Sequence, residues 1–182
     1  MKLKRSIIIE GCDNTGKTTL INSLIKEFDE KVEVMTSCRS LPVDEQISWM
    51  EKVIQTPKIF DRFALFAESV YGPTIRKEVK FPIVGEKGFF NILNRVIVPK
   101  DPVVIICYPG IEAVEKTIEE REQMAGVPSH LKELTEGYNL IEEILDKNTG
   151  LLVLNYNYTK PGAYKSLVSK LNFIFNIGRE LS

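Results

Sequence analysis

An α/β fold, with a parallel sheet covered by helices on both faces, is predicted for this 182-residue chain by three observations. Short apolar runs alternate with longer segments of helical period. The first of those runs passes directly into a glycine-framed loop and then an amphipathic stretch. The composition, 43% hydrophobic and 27% charged, is that of an ordinary folded domain.

Taken in order, the strand candidates are residues 4–10, 32–36, 58–60, 103–107 and 151–154. Each is short and rich in Val, Ile, Leu or Phe, as strands buried on both faces are. Helical stretches are expected over 16–28, 44–54, 63–71, 89–97, 111–122, 131–146 and 163–177. They supply the long crossovers that parallel strands require. Gly72-Pro73 should break or kink the third helix, and Phe81-Pro82 with Gly85 and Gly88 marks a loop before the fourth. No repeat or composition shift divides the chain, so residues 1–182 are read as one domain; at this length a single core buries roughly 70% of the surface that the unfolded chain exposes.

Charge and composition exclude several classes. With 24 basic and 25 acidic side chains the net charge is −1, which argues against nucleic acid as a partner. No run approaches the roughly 18 apolar residues of a membrane span. The start of the chain, with Lys2, Lys4 and Arg5, enters the first strand pattern at once, so a soluble, cytoplasmic and unprocessed protein is expected. Cys12, Cys38 and Cys107 form no CxxC pair and leave one over, consistent with reduced thiols. A lone histidine, His130, makes neither a zinc site nor a Ser-His-Asp system by itself.

Gly11-Cys12-Asp13-Asn14-Thr15-Gly16-Lys17-Thr18-Thr19 is GxxxxGK[ST] between a strand and a helix, the context the phosphate-binding P-loop demands. Glycines let the backbone turn successive N–H groups toward phosphate oxygens, and the following helix adds its positive end. Gly11, Asn14, Thr15, Gly16, Lys17, Thr18 and Thr19 are therefore the predicted ATP-binding residues. Lys17 would reach the β and γ phosphates, and the Thr18 hydroxyl would bind Mg2+. Asp13 is unwelcome in a phosphate cradle unless it has another task. Two remain open: accepting a hydrogen bond from a sugar hydroxyl of a second substrate, or stabilising its own turn.

Phe60-Asp61-Arg62-Phe63 ends the third strand, where ligands of open α/β sheets collect. Asp61 is expected near the metal, and the Arg62 guanidinium is suited to holding two oxygens of an acceptor phosphate. Phe63, Phe66 and Tyr71 follow on the next helix and offer either a stacking surface for a base or core packing; Trp49 carries the same two readings.

These motifs, with Ser69-Val70-Tyr71-Gly72 and the later Arg121-Glu122-Gln123-Met124-Ala125-Gly126-Val127, resemble the thymidylate kinase family, especially its compact phage-type members. The resemblance implies a five-stranded parallel sheet, a lid over ATP at about residues 119–131, and transfer of the γ-phosphoryl group of Mg-ATP to dTMP or a related pyrimidine deoxynucleotide. It also implies that Asp13 contacts the sugar 3'-hydroxyl, that Arg62 binds the acceptor phosphate, and that Tyr71 lies against the sugar. Arg121 would act as the lid arginine, although neighbouring glutamates could instead pair it on the helix surface. Arg39, before Pro42, is similar to the family's phosphate-touching Arg-x-Pro with one residue added, and residues 155–158 would rest against adenine. A homodimer is the assembly considered. The stretch 37–56, where the family reads the base, is short here and leaves the base open. The rival activity is a deoxynucleoside kinase phosphorylating a 5'-hydroxyl.

Overall fold

The computed structural model describes residues 1–28, 31–38, 40–120 and 127–177. Five parallel strands, β1 (Ile7–Glu10), β2 (Val34–Thr36), β3 (Ile59–Asp61), β4 (Val103–Cys107) and β5 (Val153–Tyr156), form one sheet in the order β2-β3-β1-β4-β5. The register sets Ile8 beside both Phe60 and Val104, and Thr36 beside Asp61. The chain leaves central β1 for the β2 edge, returns through β3 and crosses β1 to reach β4. The carboxyl ends of β1 and β3 therefore stand together at the reversal of strand order, where such sheets bind ligands.

Successive side chains of a strand point to opposite faces, so the isoleucines of β1 divide between two cores. Ile8 joins Phe60, Val104 and Ile106 in one, beneath α2 (Val43–Val53), α3 (Ala64–Tyr71) and α6 (Leu131–Asn148). Ile7 and Ile9 join Ile59, Val103 and Ile105 in the other, against α1 (Lys17–Leu24) and α7 (Ala163–Ile177). Two further helices, α4 (Phe89–Ile92) and α5 (Ile111–Glu120), complete the first layer. The expected α/β architecture is observed.

Several boundaries differ from expectation. β1 starts at Ile7, after an irregular basic segment, and β3 extends through Asp61. β5 lies two residues later than predicted, so Asn155 and Tyr156 belong to the strand and only Asn157 and Tyr158 to the loop after it. Gly72-Pro73 does not end the third helix. Helical backbone continues as a π turn over Gly72–Arg76 and stops at Lys77, which adopts left-handed backbone at φ 56°. Pro73 has no N–H to bond back to α3, and the change from α to π turn at Gly72 falls where that bond is missing. The fourth helix is likewise four α residues followed by a π turn, Leu93–Ile97, and a short 3-10 turn, Val98–Lys100. Gly137 marks where α3 and α6 meet: a Cβ there would stand 2.9 Å from a Val70 methyl. Among the described residues no helix is long and apolar enough to cross a membrane, and the three cysteines are free thiols.

Candidate active site

The loop between β1 and α1 has the backbone a phosphate cradle requires. Gly11 and Gly16 have φ of 136° and 84°, and Asn14 adopts the left-handed region at 61°. A Cβ on Gly11 would lie 2.6 Å from the Cys107 carbonyl oxygen, and one on Gly16 2.9 Å from the Tyr158 ring. Backbone curvature and close approach both dictate glycine at these positions. Lys17 opens α1, is buried, and donates from Nζ to the Cys12 carbonyl oxygen across the loop. Burial, and then the positive charge of Arg62, push its ammonium down to about 8. Thr18 and Thr19 are exposed. Thr15 is turned inward, its hydroxyl donating to the Cys12 carbonyl at 2.9 Å, so from this residue the backbone N–H is left to meet a ligand. The side-chain Nδ2 of Asn14 is buried with no hydrogen-bond partner among the described residues.

Beside the cradle, Asp13, Arg62 and Tyr71 interlock. The Arg62 guanidinium donates to the Asp13 carboxylate and, at 3.0 Å, to the Tyr71 hydroxyl, which also accepts the Asp13 backbone N–H at 3.0 Å. Its carbon lies 4.9 Å from the centre of the Tyr71 ring, a cation-π distance. Arg62 itself takes φ 65° while its N–H continues the ladder to Ile9, which turns its side chain toward the loop rather than along β3. Asp13 thus has a partner that neither open reading named, although a carboxylate side chain 24% exposed keeps a face for a ligand.

A cavity of about 310 Å3 opens next to this group. Thr36 and Ser37 line it from the end of β2, Asp61 and Arg62 from the end of β3, Ala67, Glu68 and Tyr71 from α3, and Arg76 from the π turn that follows. Phe63 and Phe66 do not face it. Both are fully buried, with Phe63 packed edge-on to Phe60 at 5.1 Å and 6.1 Å from Trp49, so their stacking role gives way to core packing. Two large aromatics at the start of α3 lie over the sheet because α3 covers the hydrophobic face of β3 and β1. A second, more open concavity of about 580 Å3 lies between residues 108–113 and Thr159. Arg39 and Arg121 lie outside the described residues, as do residues 121–126 of the expected lid.

Two buried carboxylates, Glu10 and Glu68, escaped the sequence reading. Glu10, the last residue of β1, is wholly buried; one oxygen accepts the Phe63 backbone N–H at 2.5 Å and the other has no hydrogen-bond partner among the described residues. Burial pushes its carboxyl up to about 7 against the opposing pull of that N–H, Arg62 and Lys17. Tyr138, buried on α6 with its ring 6.4 Å from that of Tyr71, is electrostatically coupled to Glu10. Glu68 is 2% exposed and bonded to Arg76 at 2.7 Å and Lys80 at 3.3 Å. The only signal for Glu10 or Glu68 in the sequence was a carboxylate within an otherwise apolar run.

No protein-family model matches the chain, and no curated protein does. Solved structures do. A Bacillus subtilis protein, YorR, solved with phosphorylated GDP, is 18% identical over 96% of this chain and 97% of that one, with a TM-score of 0.71. Deoxyadenosine kinase from M. mycoides, with dCMP and dCDP, is 15% identical over 93% of this chain and 99% of its own, with a TM-score of 0.63. Thymidylate kinase from Candida albicans is 12% identical over 96% and 92%, with a TM-score of 0.54. The chain has the fold of these three proteins, with a glycine loop and a basic, cavity-lining strand end brought to one edge of the sheet.

Proposed function

We propose that the protein is a deoxynucleoside monophosphate kinase of thymidylate-kinase type, transferring the γ-phosphoryl group of ATP to the phosphate of a deoxynucleotide. The observation that carries this reading is Arg62, which stands between the P-loop and the 310 Å3 cavity and is braced by Asp13 and Tyr71. A fixed guanidinium there suits an acceptor that already bears a phosphate.

In this reading the loop N–H groups and Lys17 hold the β and γ phosphates, Arg62 holds the acceptor phosphate in line, and Asp13 and Tyr71 meet the sugar. An acceptor phosphate oxygen forms a new bond to the γ phosphorus as the bond to the β-phosphate oxygen breaks, and ADP leaves. An anionic acceptor needs no general base, so rate comes from positioning and charge. Thr18 and Asp61 offer a hydroxyl and a carboxylate, the hard oxygen donors that Mg2+ prefers; when bound, the ion neutralises phosphate charge. Residues 157–158 and the 580 Å3 concavity are the proposed adenine site, residues 119–131 the lid, and Arg39 and Arg121 further phosphate ligands.

A second reading, a deoxynucleoside kinase, is favoured by Asp61. This carboxylate lines the cavity with no hydrogen bond or ion pair among the described residues, and could take the proton of a 5'-hydroxyl. An ADP-release assay with each deoxynucleoside and each deoxynucleoside monophosphate separates them. Turnover with monophosphates alone is expected; turnover with thymidine or another nucleoside, and none with a monophosphate, overturns the proposal.

A further inference from the structure

Arg62 stands on strained backbone. Its φ of 65° lies in the left-handed region, which costs a non-glycine residue energy and persists only where surrounding bonds dictate it. β3 is still paired at Asp61, opposite Ile9, and at the very next residue the chain swings the guanidinium to Asp13 of the P-loop. Two consecutive residues of β1 fix that turn from both sides. The Ile9 carbonyl accepts the Arg62 N–H at 3.0 Å, and the Glu10 carboxylate accepts the following N–H, that of Phe63, at 2.5 Å. Phe63 immediately precedes α3, whose last residue, Tyr71, accepts from Arg62 in turn. One anchor therefore serves the arginine and the helix that braces it.

Glu10 is wholly buried, so it meets no substrate itself, and an ionisable group in that position carries a desolvation cost that an apolar residue would avoid. Its geometry gives it a task at the Phe63 N–H. We infer that Glu10 is a positioning residue for phosphoryl transfer: by holding the Phe63 N–H it keeps Arg62 in the left-handed turn that aims the guanidinium at the acceptor phosphate. This rests on the monophosphate-kinase reading of Arg62. The side chain acts through its reach, since the acceptor oxygen must span from β1 to the residue after the turn. Its charge is not what the bond requires, because a neutral carbonyl oxygen accepts an N–H equally in kind.

The test separates reach from charge. Glu10→Asp keeps the carboxylate but is one methylene too short, whereas Glu10→Gln keeps the reach and drops the charge. ADP release by the full chain is followed with each deoxynucleoside monophosphate varied at saturating ATP. Glu10→Asp is expected to lower acceptor kcat/KM about thirtyfold with ADP affinity within about twofold, and Glu10→Gln to recover most of that loss. On an Arg62→Asn background, where asparagine tolerates the left-handed turn but lacks the guanidinium, Glu10→Asp should cost less than about threefold. An equal loss in both backgrounds overturns the inference, reducing Glu10 to a stabiliser of the fold. A Gln variant as impaired as the Asp variant overturns it too, and assigns the effect to charge. A second readout needs no turnover: the side-chain Nε–H signal of Arg62 in the NMR spectrum of the free chain, identified by its loss in Arg62→Asn. It should stand apart from the signals of exposed arginines in the wild type and Glu10→Gln, and move onto them in Glu10→Asp; an unmoved signal there overturns the inference. Should Glu10→Asp fail to fold, Glu10→Met, which fills the space without an acceptor, takes its place. Turnover of no monophosphate overturns the underlying reading, and the Arg62 signal then decides the positioning role by itself.

Discussion

Arg62 and Asp13 form an ion pair across the gap between the end of β3 and the loop after β1, with side chains 18% and 24% exposed. Their partnership joins the two sequence motifs that had to be read separately. A carboxylate placed beside the phosphate cradle is compensated by the guanidinium, and the guanidinium is held ready by the carboxylate and the Tyr71 hydroxyl. The contacts hold both side chains in one arrangement, which lowers the ordering cost of a ligand that binds them.

Arg62→Lys tests that arrangement. Lysine keeps the charge but lacks the planar fork that reaches Asp13 and Tyr71 together. Acceptor kcat/KM is expected to fall about a hundredfold, while ADP affinity stays within about twofold. Steady-state kinetics with varied acceptor, together with calorimetry for ADP, measure the two; a parallel loss of ADP binding would detach Arg62 from the acceptor.

Lys17 gives a pH dependence with a definite sign. Its ammonium, held near 8 against an ordinary 10.5, loses its proton in the free protein above about pH 8. Native stability associated with this group is therefore full above pH 10.5 and lost as pH falls through 8. For ligands the sign reverses: a polyphosphate binds the charged form, so ADP affinity should decrease about tenfold per pH unit above 8. Calorimetry at pH 9 in buffers of different ionisation enthalpy should register uptake of one proton per ADP. No proton uptake would mean that Lys17 is charged throughout.

Glu10 supplies a stability test. Its carboxyl sits near 7 in the native chain against an ordinary 4.5, so the folded protein retains a proton that the unfolded chain has released. The stability it contributes is full below about pH 4.5 and lost as pH rises through 7. Glu10→Gln keeps an acceptor for the Phe63 N–H and removes the titration. The variant should match the wild type near pH 4.5 and exceed it at pH 8 by about 3 kcal/mol. Urea unfolding at the two pH values measures the difference; a pH-independent gap would show that Glu10 does not titrate in this range.

The glycine loop was legible because its chemistry needs fixed residue types at fixed spacing, and the strands because burial on both faces leaves uninterrupted apolar runs. Arg62 was legible through its place at a strand end. Phe63 and Phe66 were not, since an aromatic on an amphipathic helix satisfies the core and a stacking site with the same pattern, and only the position of α3 over β3 decides between them. Glu10 and Glu68 were hidden for the opposite reason. One carboxylate in an apolar run carries no periodicity, and its partners come from other elements: the N–H of Phe63 for Glu10, Arg76 and Lys80 for Glu68. The pairing of Asp13 with Arg62 links positions 49 residues apart and follows from the β1–β3 register.

Gly137 connects packing to the site. A Cβ there would stand 2.9 Å and 3.3 Å from the two Val70 methyls, closer than side chains pack without shifting. Val70 immediately precedes Tyr71, so a displaced α3 moves the hydroxyl that braces Arg62. Gly137→Ala brings no left-handed backbone strain and gains helix propensity, leaving steric overlap as its main cost. Stability should fall by about 1–3 kcal/mol, and acceptor KM should rise. Val70→Ala on top of Gly137→Ala removes the clashing methyls, so the double variant should be more stable than the sum of the two single effects by at least about 1 kcal/mol. Denaturant unfolding of the four proteins in the cycle measures this coupling. Additivity within about 0.3 kcal/mol would show that the helices separate freely at this contact.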